Sequence, residues 1–237
     1  MISGIKIYDG NGILKEEISS EKAVDLFNEN NKKEWSLSSS QRKADTWKMT
    51  AEDALIVAAE VKELKRAGNV RFSGFTAWSS DCSDVNNLIE SNEYDVLQAE
   101  YNIMNQSAQE SPPPGVRFSL PGESGGDDKI IDGCQSIPKA TEHNMGVIGI
   151  RPLFGGVLSG AIDRFVEPDS AWYKMVQSAK NLNFLKKGSE RTLAQAASIF
   201  CLMNSNISTI IPGSKTAKEI DEVANCSGAE PLCTEEL

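Results

Sequence analysis

Residues 145 to 153 read MGVIGIRPL, an apolar run bounded by glycine and unbroken by a polar residue before the arginine. A strand buried on one face alternates apolar and polar residues. A run that does not alternate belongs to a strand covered on both faces, the condition of a parallel sheet wrapped in helices. VRFSGF (70 to 75) has the same character, and YDVLQAEYN (94 to 102) and STIIPG (208 to 213) are two further strand candidates. Helical patterns alternate with them. One opens at Thr50-Ala-Glu-Asp53, repeats apolar residues at Ala54, Val57, Ala58, Val61 and Leu64, and stops at Gly68. Others cover 83 to 91, 129 to 144, 169 to 186 and 192 to 204, and Thr216 with Glu219 writes a capping box for a last helix.

Strand, loop and helix in this rhythm predict a parallel α/β protein. No G-x-G-x-x-G follows a strand and no G-x-x-x-x-G-K-[ST] occurs, so the standard phosphate cradles of doubly wound sheets are lacking and a (β/α)8 barrel is the better fit. Two segments depart from the rhythm. IKIY-DGNG-ILKEE (5 to 17) predicts a hairpin about a tight turn. Residues 106 to 128 are dense in Pro, Gly and Ser and read as a surface insertion, while 32 to 49 read as a polar loop.

A net charge of −10 and a pI near 4.8 argue against binding nucleic-acid phosphates or anionic membranes. No stretch is long and apolar enough for a transmembrane helix, and MISGIKIYDG lacks the pattern of a signal peptide. Five cysteines, odd in number and without a C-x-x-C pair, suit a reducing cytoplasm and argue against both a disulfide framework and a zinc site. The N-x-S/T triplets at Asn105, Asn206 and Asn225 read as chance. A single histidine, His143, excludes a histidine-rich metal cage and reads as a partner for a helix C-terminus.

Four ordered segments carry a resemblance: LKRAGNVRFSGFTA (64 to 77), YDVLQAEYNIMN (94 to 105), MGVIGIRPLFGGVLSG (145 to 160) and STIIPGSKTAKEIDEVAN (208 to 225). They resemble consecutive signatures of the aldo/keto reductases, in the branch that writes QxxYNxxN and GVIGIRxLxGGxLSG. The resemblance spans residues 50 to 228 apart from the insertion, and leaves 229 to 237 as a tail. It implies a partial (β/α)8 TIM barrel, roughly strands four to eight, behind an N-terminal region (1 to 31) that holds the hairpin. It also implies hydride transfer between NADP(H), or NAD(H), and a small carbonyl substrate at the C-terminal ends of the strands.

Cofactor contacts carry over by position. Thr76 and Gln98 match the groups that bond the nicotinamide carboxamide, although Ala77 and Trp78 stand where an Asn is usual. Tyr101 matches the aromatic that stacks on the nicotinamide. Arg151, Pro152, Leu153, Gly155 and Gly156 match the loop along the pyrophosphate. Gly213, Ser214, Lys215 and Thr216 match the loop that grips the adenosine 2′-phosphate, and Glu222 an acidic contact on the adenine side, with Val223 in place of the usual Asn. Each has a plain alternative: Gln98 as a polar strand end, Tyr101 as core packing, Lys215 as a solvated surface lysine.

DLFNENN (25 to 31) aligns with the family's D-L-F-x-L-H-N at the end of strand four and puts Asn30 at the position of the catalytic histidine. The alternative is a helix over 20 to 31 that frays into asparagines. The family's acid Tyr, with its Lys and Asp, precedes that strand, and Tyr8, Asp9 and Lys6 do not match its spacing. No catalytic residue is therefore assigned. Loss of a positioned acid costs about 10² to 10⁴ in rate. Three readings follow: a carbonyl reductase completed by another chain, a non-catalytic nucleotide-binding or interaction protein, or a truncated gene product. In each, open barrel edges call for self-association or a partner chain.

Overall fold

The computed structural model describes residues 5–8, 14–18, 51–77, 82–111, 132–160, 171–188 and 190–237. The polar loop 32 to 49, Asn30 with its neighbours, and most of the 106 to 128 insertion lie outside the described residues. The chain divides into two compact units, Met1–Arg71 and Phe72–Leu237.

In the first unit, β1 (Ile5–Tyr8) and β2 (Leu14–Ile18) pair antiparallel from Ile5 opposite Ile18 to Tyr8 opposite Leu14, the hairpin expected from the sequence. Helix α1 (Ala51–Arg66) ends in a basic turn, Lys65-Arg66, which suits its C-terminal dipole, and Gly68 follows at φ 75.

The second unit is a parallel sheet of β3 (Gly74–Ala77), β4 (Val96–Glu100), β5 (Gly146–Ile150) and β6 (Thr209–Ile211), in that order. Helix α2 (Cys82–Glu90) joins β3 to β4, and α3 (Ser136–Glu142) leads into β5. Between β5 and β6 come two 3₁₀ turns (Phe154–Ser159 and Asn181–Leu185) and two helices, α4 (Ala171–Lys180) and α5 (Leu193–Met203). Helix α6 (Ala217–Ala224) follows β6. The order strand, helix, strand in one parallel sheet is that of consecutive units of a (β/α)8 barrel, here a partial one.

Among the described residues the two faces of the sheet are covered unequally. Leu97, Ala99, Val147 and Gly149 are buried, while Gln98, Ile148 and Ile150 on the other face are half-buried and Ile211 is 51% exposed. Among the described residues the sheet has four strands, fewer than close a ring of eight.

Two boundaries also shift. The run 70 to 75 enters the sheet only at Gly74, because the Ser73 N–H and hydroxyl both donate to the Asp95 carboxylate, at 2.7 and 3.2 Å. Helix α3 starts only at Ser136. Ahead of it the Cys134 N–H donates to Asp132 Oδ1, and Cys134 and Gln135 are left-handed.

Helices supply the core. Phe154, Val157 and Leu158 pack with Val176 and Ala179 of α4 and Ala197 of α5. A second cluster joins Leu185, Leu193, Ala196, Ile199 and Cys226 to Leu232, so the last residues are docked. An ion pair pins them. Buried Arg191 binds Glu236, and its Nε donates to the Leu185 carbonyl at 2.9 Å. The Glu236 carboxylate also accepts the Cys233 N–H at 2.9 Å.

The Arg191 guanidinium first, and then that N–H, hold the Glu236 carboxyl at about 2, below its usual 4.5. A depressed carboxyl stabilises the fold above its unfolded-state value, and that contribution is lost as pH falls toward the folded value. Glu236→Gln should therefore melt below wild type at neutral pH, and the gap should close between about pH 4.5 and 2 in thermal scans.

Candidate functional site at the C-terminal ends of the strands

Thr76 and Gln98 are register partners on β3 and β4, on the sheet face away from the buried core residues. The Thr76 hydroxyl donates to Gln98 Oε1 at 3.1 Å. In that pairing the Gln98 oxygen is the engaged end of the amide. Its N–H₂ is the other end, a group able to donate to a carbonyl oxygen.

Two residues beyond Gln98, the Glu100 carboxylate is 1% exposed. A buried charge is tolerated only when paired and hydrogen-bonded. Arg151 Nη1, at the end of β5, lies 3.9 Å from Glu100 Oε2. The side-chain amides of Asn102 and Asn105 approach Glu100 Oε1 at 3.5 and 3.4 Å. Asn102 also donates to the Arg151 carbonyl at 3.2 Å, and its own Oδ1 accepts the N–H groups of Met104 and Asn105. Asn105 Oδ1 accepts the Ser107 hydroxyl at 2.7 Å, and Ser107 Oγ accepts the Gly133 N–H at 2.8 Å. Gly133 is wedged in place, since a Cβ there would stand 2.2 Å from the Ala108 nitrogen.

Arg151 is left-handed at φ 55, and its carbonyl accepts the Phe154 N–H at 2.8 Å, which starts the following turn. Pro152 and Phe154 are buried, Leu153 partly so, and Gly155 and Gly156 adopt φ 63 and 92 with Gly155 exposed. Those glycines bring bare backbone to the surface beside Arg151, where a ligand can approach closely.

Tyr101 follows β4, 6% exposed, with its ring stacked on Phe200 of α5 at 5.5 Å between centroids. Its carbonyl accepts the Cys201 thiol at 3.2 Å. Burial pushes the phenol above its ordinary pKa, so this ring is a poor proton donor at neutral pH.

The turn after β6 carries Gly213, Ser214, Lys215 and Thr216 ahead of α6. Its capping box is complete, and the Glu219 carboxylate accepts both the Lys215 N–H, at 2.6 Å, and the Thr216 N–H, at 3.2 Å. The amide donors of this turn already hold an internal anion. Glu222 bridges helices: its carboxylate accepts the hydroxyl of Thr192, the cap residue of α5, and its carbonyl accepts from Gln195 Nε2. His143 caps the C-terminus of α3 and bonds Asn92 Oδ1 through Nδ1 at 2.9 Å, at the opposite end of the strands. The Asn30 position lies outside the described residues.

One expectation is overturned. Cys82 and Cys134 form a disulfide across 52 residues, where the cysteine pattern argued against any. Their pairing depends on β3 and β4 being neighbours, which no local spacing encodes. The Glu100 network was missed as well. Its only sequence trace is the pair of asparagines in YNIMN.

The sequence profile of the Aldo/keto reductase family matches residues 43–237, and the chain belongs to that family. Its fold is similar to the aldo-keto reductase AKR11C1 from Bacillus halodurans. For the holo form the TM-score is 0.57 at 18% identity, over 79% of this chain and 55% of that one. The apo form gives 0.53 at 18% identity, over 81% and 56%. The chain thus spans little more than half the length of that reductase. No curated protein matches it.

Asn105→Ala removes the acceptor of the Ser107 hydroxyl and a donor to Glu100. The fold should lose about 1–3 kcal/mol for each buried polar group left unpaired, read as a lower denaturant midpoint at constant m-value.

Proposed function

We propose that this chain binds a nicotinamide dinucleotide, NADP(H) or NAD(H), across the C-terminal ends of β3 to β6, and that alone it turns over carbonyl substrates poorly. The observation that carries the reading is the Thr76–Gln98 bond, which engages the Gln98 amide oxygen and leaves its N–H₂ as the donor for a ligand. A nicotinamide carboxamide offers the matching carbonyl oxygen. The Arg151–Gly156 turn fits a pyrophosphate, through a guanidinium and two glycines that admit close approach. The bound cofactor would supply the hydride. The chain's own part is to hold and orient it.

Protonating the product alkoxide needs a positioned acid. Among the described residues no tyrosine, lysine or histidine hydrogen-bonds to Thr76 or Gln98, and the Tyr101 phenol is buried. Asn30, at the position of the family's histidine, can donate a hydrogen bond but cannot carry a proton. Efficient reduction then rests on a donor from outside these residues. Parallel edge strands and a half-buried sheet face favour association with a second copy or a partner. Light scattering should give more than one chain per particle, and a cooperative monomer would refute that part.

NADPH titration followed by tryptophan and cofactor fluorescence tests the binding claim. Wild type should bind, with little or no oxidation of NADPH when an aromatic aldehyde is added. Gln98→Ala should bind about 2- to 10-fold more weakly, the value of one net hydrogen bond. Because Glu219 occupies the amide donors expected to meet a 2′-phosphate, Glu219→Gln should raise NADPH affinity over NADH by about two- to fivefold. Absence of binding by wild type would refute the proposal, and brisk turnover would refute the poor-catalyst part.

A further inference from the structure

Cys82 is the first residue of α2, just after β3, and Cys134 stands two residues before α3, in the connection that follows β4. The parallel pairing of β3 and β4 brings these connections together at the C-terminal side of the sheet. The two Cα atoms lie 5.3 Å apart and the sulfurs are joined. A third ligand group stands beside them. One ligand atom each from Cys82, Cys134 and Asp132 fall within 4.8 Å of one another. Asp132 Oδ1 accepts the Cys134 N–H at 2.8 Å, which orients the carboxylate and leaves its second oxygen for another partner.

Backbone contacts independent of the sulfur bond hold Cys134. The Gly133 N–H donates to Ser107 Oγ at 2.8 Å, and the Gln135 N–H donates to the Ser107 carbonyl at 3.0 Å. Cys134 and Gln135 keep left-handed φ of 59 and 48, a conformation that non-glycine residues hold where their surroundings impose it. None of these contacts passes through the sulfurs, so each remains available to the Cys134 backbone when the disulfide is opened. Both sulfur-bearing residues are half-exposed and open to solutes, unlike the buried Cys201 and Cys226.

Reduction sets two thiols against a carboxylate in a chain of net charge −10. Ionised thiols there repel Asp132 and each other. Protonation of the thiols, closure to the neutral disulfide, or a divalent cation bound by all three groups each relieve that repulsion, and only the cation does so while keeping the sulfurs as thiolates.

We propose that Cys82, Cys134 and Asp132 form a redox-gated metal site, closed as a disulfide when oxidised and holding one thiophilic divalent cation of the zinc class when reduced. Two sulfurs and one carboxylate oxygen, with water in the fourth position, make a tetrahedral set that such a cation accepts. A dithiol opens the site. Its thiolate attacks one sulfur, the S–S bond breaks, and the electron pair leaves on the other sulfur. The second thiol of the reductant then displaces the mixed disulfide. The reductant departs as its own disulfide, and the chain has gained two electrons and two protons. Cation binding releases those two protons. Oxidation by a disulfide reverses the exchange and expels the cation.

Cobalt(II) titration of the whole chain tests the site, after reduction by a phosphine that offers no thiol. The reduced chain should take up one equivalent with thiolate-to-cobalt charge-transfer bands, which zinc then displaces. The air-oxidised chain should show none of these bands. Cys82→Ser and Cys134→Ser should each abolish the bands, whereas a Cys226→Ser/Cys233→Ser double variant should keep them. Asp132→Asn, at an exposed residue whose change should leave the fold intact, should keep the thiolate bands and lose affinity. No bands in the reduced wild type, bands that survive in Cys82→Ser, equal binding by the oxidised chain, or free thiols at both positions after air oxidation would each overturn the proposal.

Discussion

A carboxylate buried at the end of a strand sets the terms for everything around it. Glu100 is 1% exposed, and an isolated charge there would be prohibitive. Arg151 faces Glu100 Oε2 at 3.9 Å, a charge pair without a hydrogen bond, while two asparagine amides approach Oε1 from the turn that follows. That demand fixes the turn. Asn102 must fold back to reach both Glu100 and the Arg151 carbonyl, and Asn105 must face inward. The chain then continues through Ser107 to Gly133, which aligns the segment bearing Cys134. One buried charge thus connects the β4 turn, the Arg151 turn and the disulfide.

The repeated units of this fold were legible because their signals are local. Apolar runs, caps and stop glycines lie within a few residues of what they specify. Thr216 and Glu219 make the capping box that their spacing promised, and the strands Ile5–Tyr8 and Leu14–Ile18 pair antiparallel as expected. The family was legible for the same reason, since its signatures are short and ordered. What escaped is long-range. The Cys82–Cys134 bond spans 52 residues, and the Glu100–Arg151 pair spans two strands. The half-buried sheet face escaped for a different cause: apolar composition does not report how many strands stand beside one another, and among the described residues this sheet has four.

The candidate site shows a similar division. Residue types at the strand ends were readable, but their present partners were not. Glu219 occupies the amides of the turn after β6, Glu222 braces α5 against α6, and the Tyr101 ring leans on Phe200. Gln98 is bound through its oxygen to Thr76, and Gly155 is exposed at the surface. In the proposed cofactor reading, the Thr76–Gln98 and Arg151–Gly156 end is the better-prepared part of the grip, and the turn after β6 would exchange its bonds to Glu219 for ligand.

Hydrogen exchange read residue by residue, with and without saturating NADPH, tests the central claim most directly. The account predicts slowed exchange in the Arg151–Gly156 turn, in 213–216 and around Gln98, with no change at the opposite strand ends near Asn92 and His143. Protection confined to those opposite ends, or none anywhere at saturating cofactor, would contradict it.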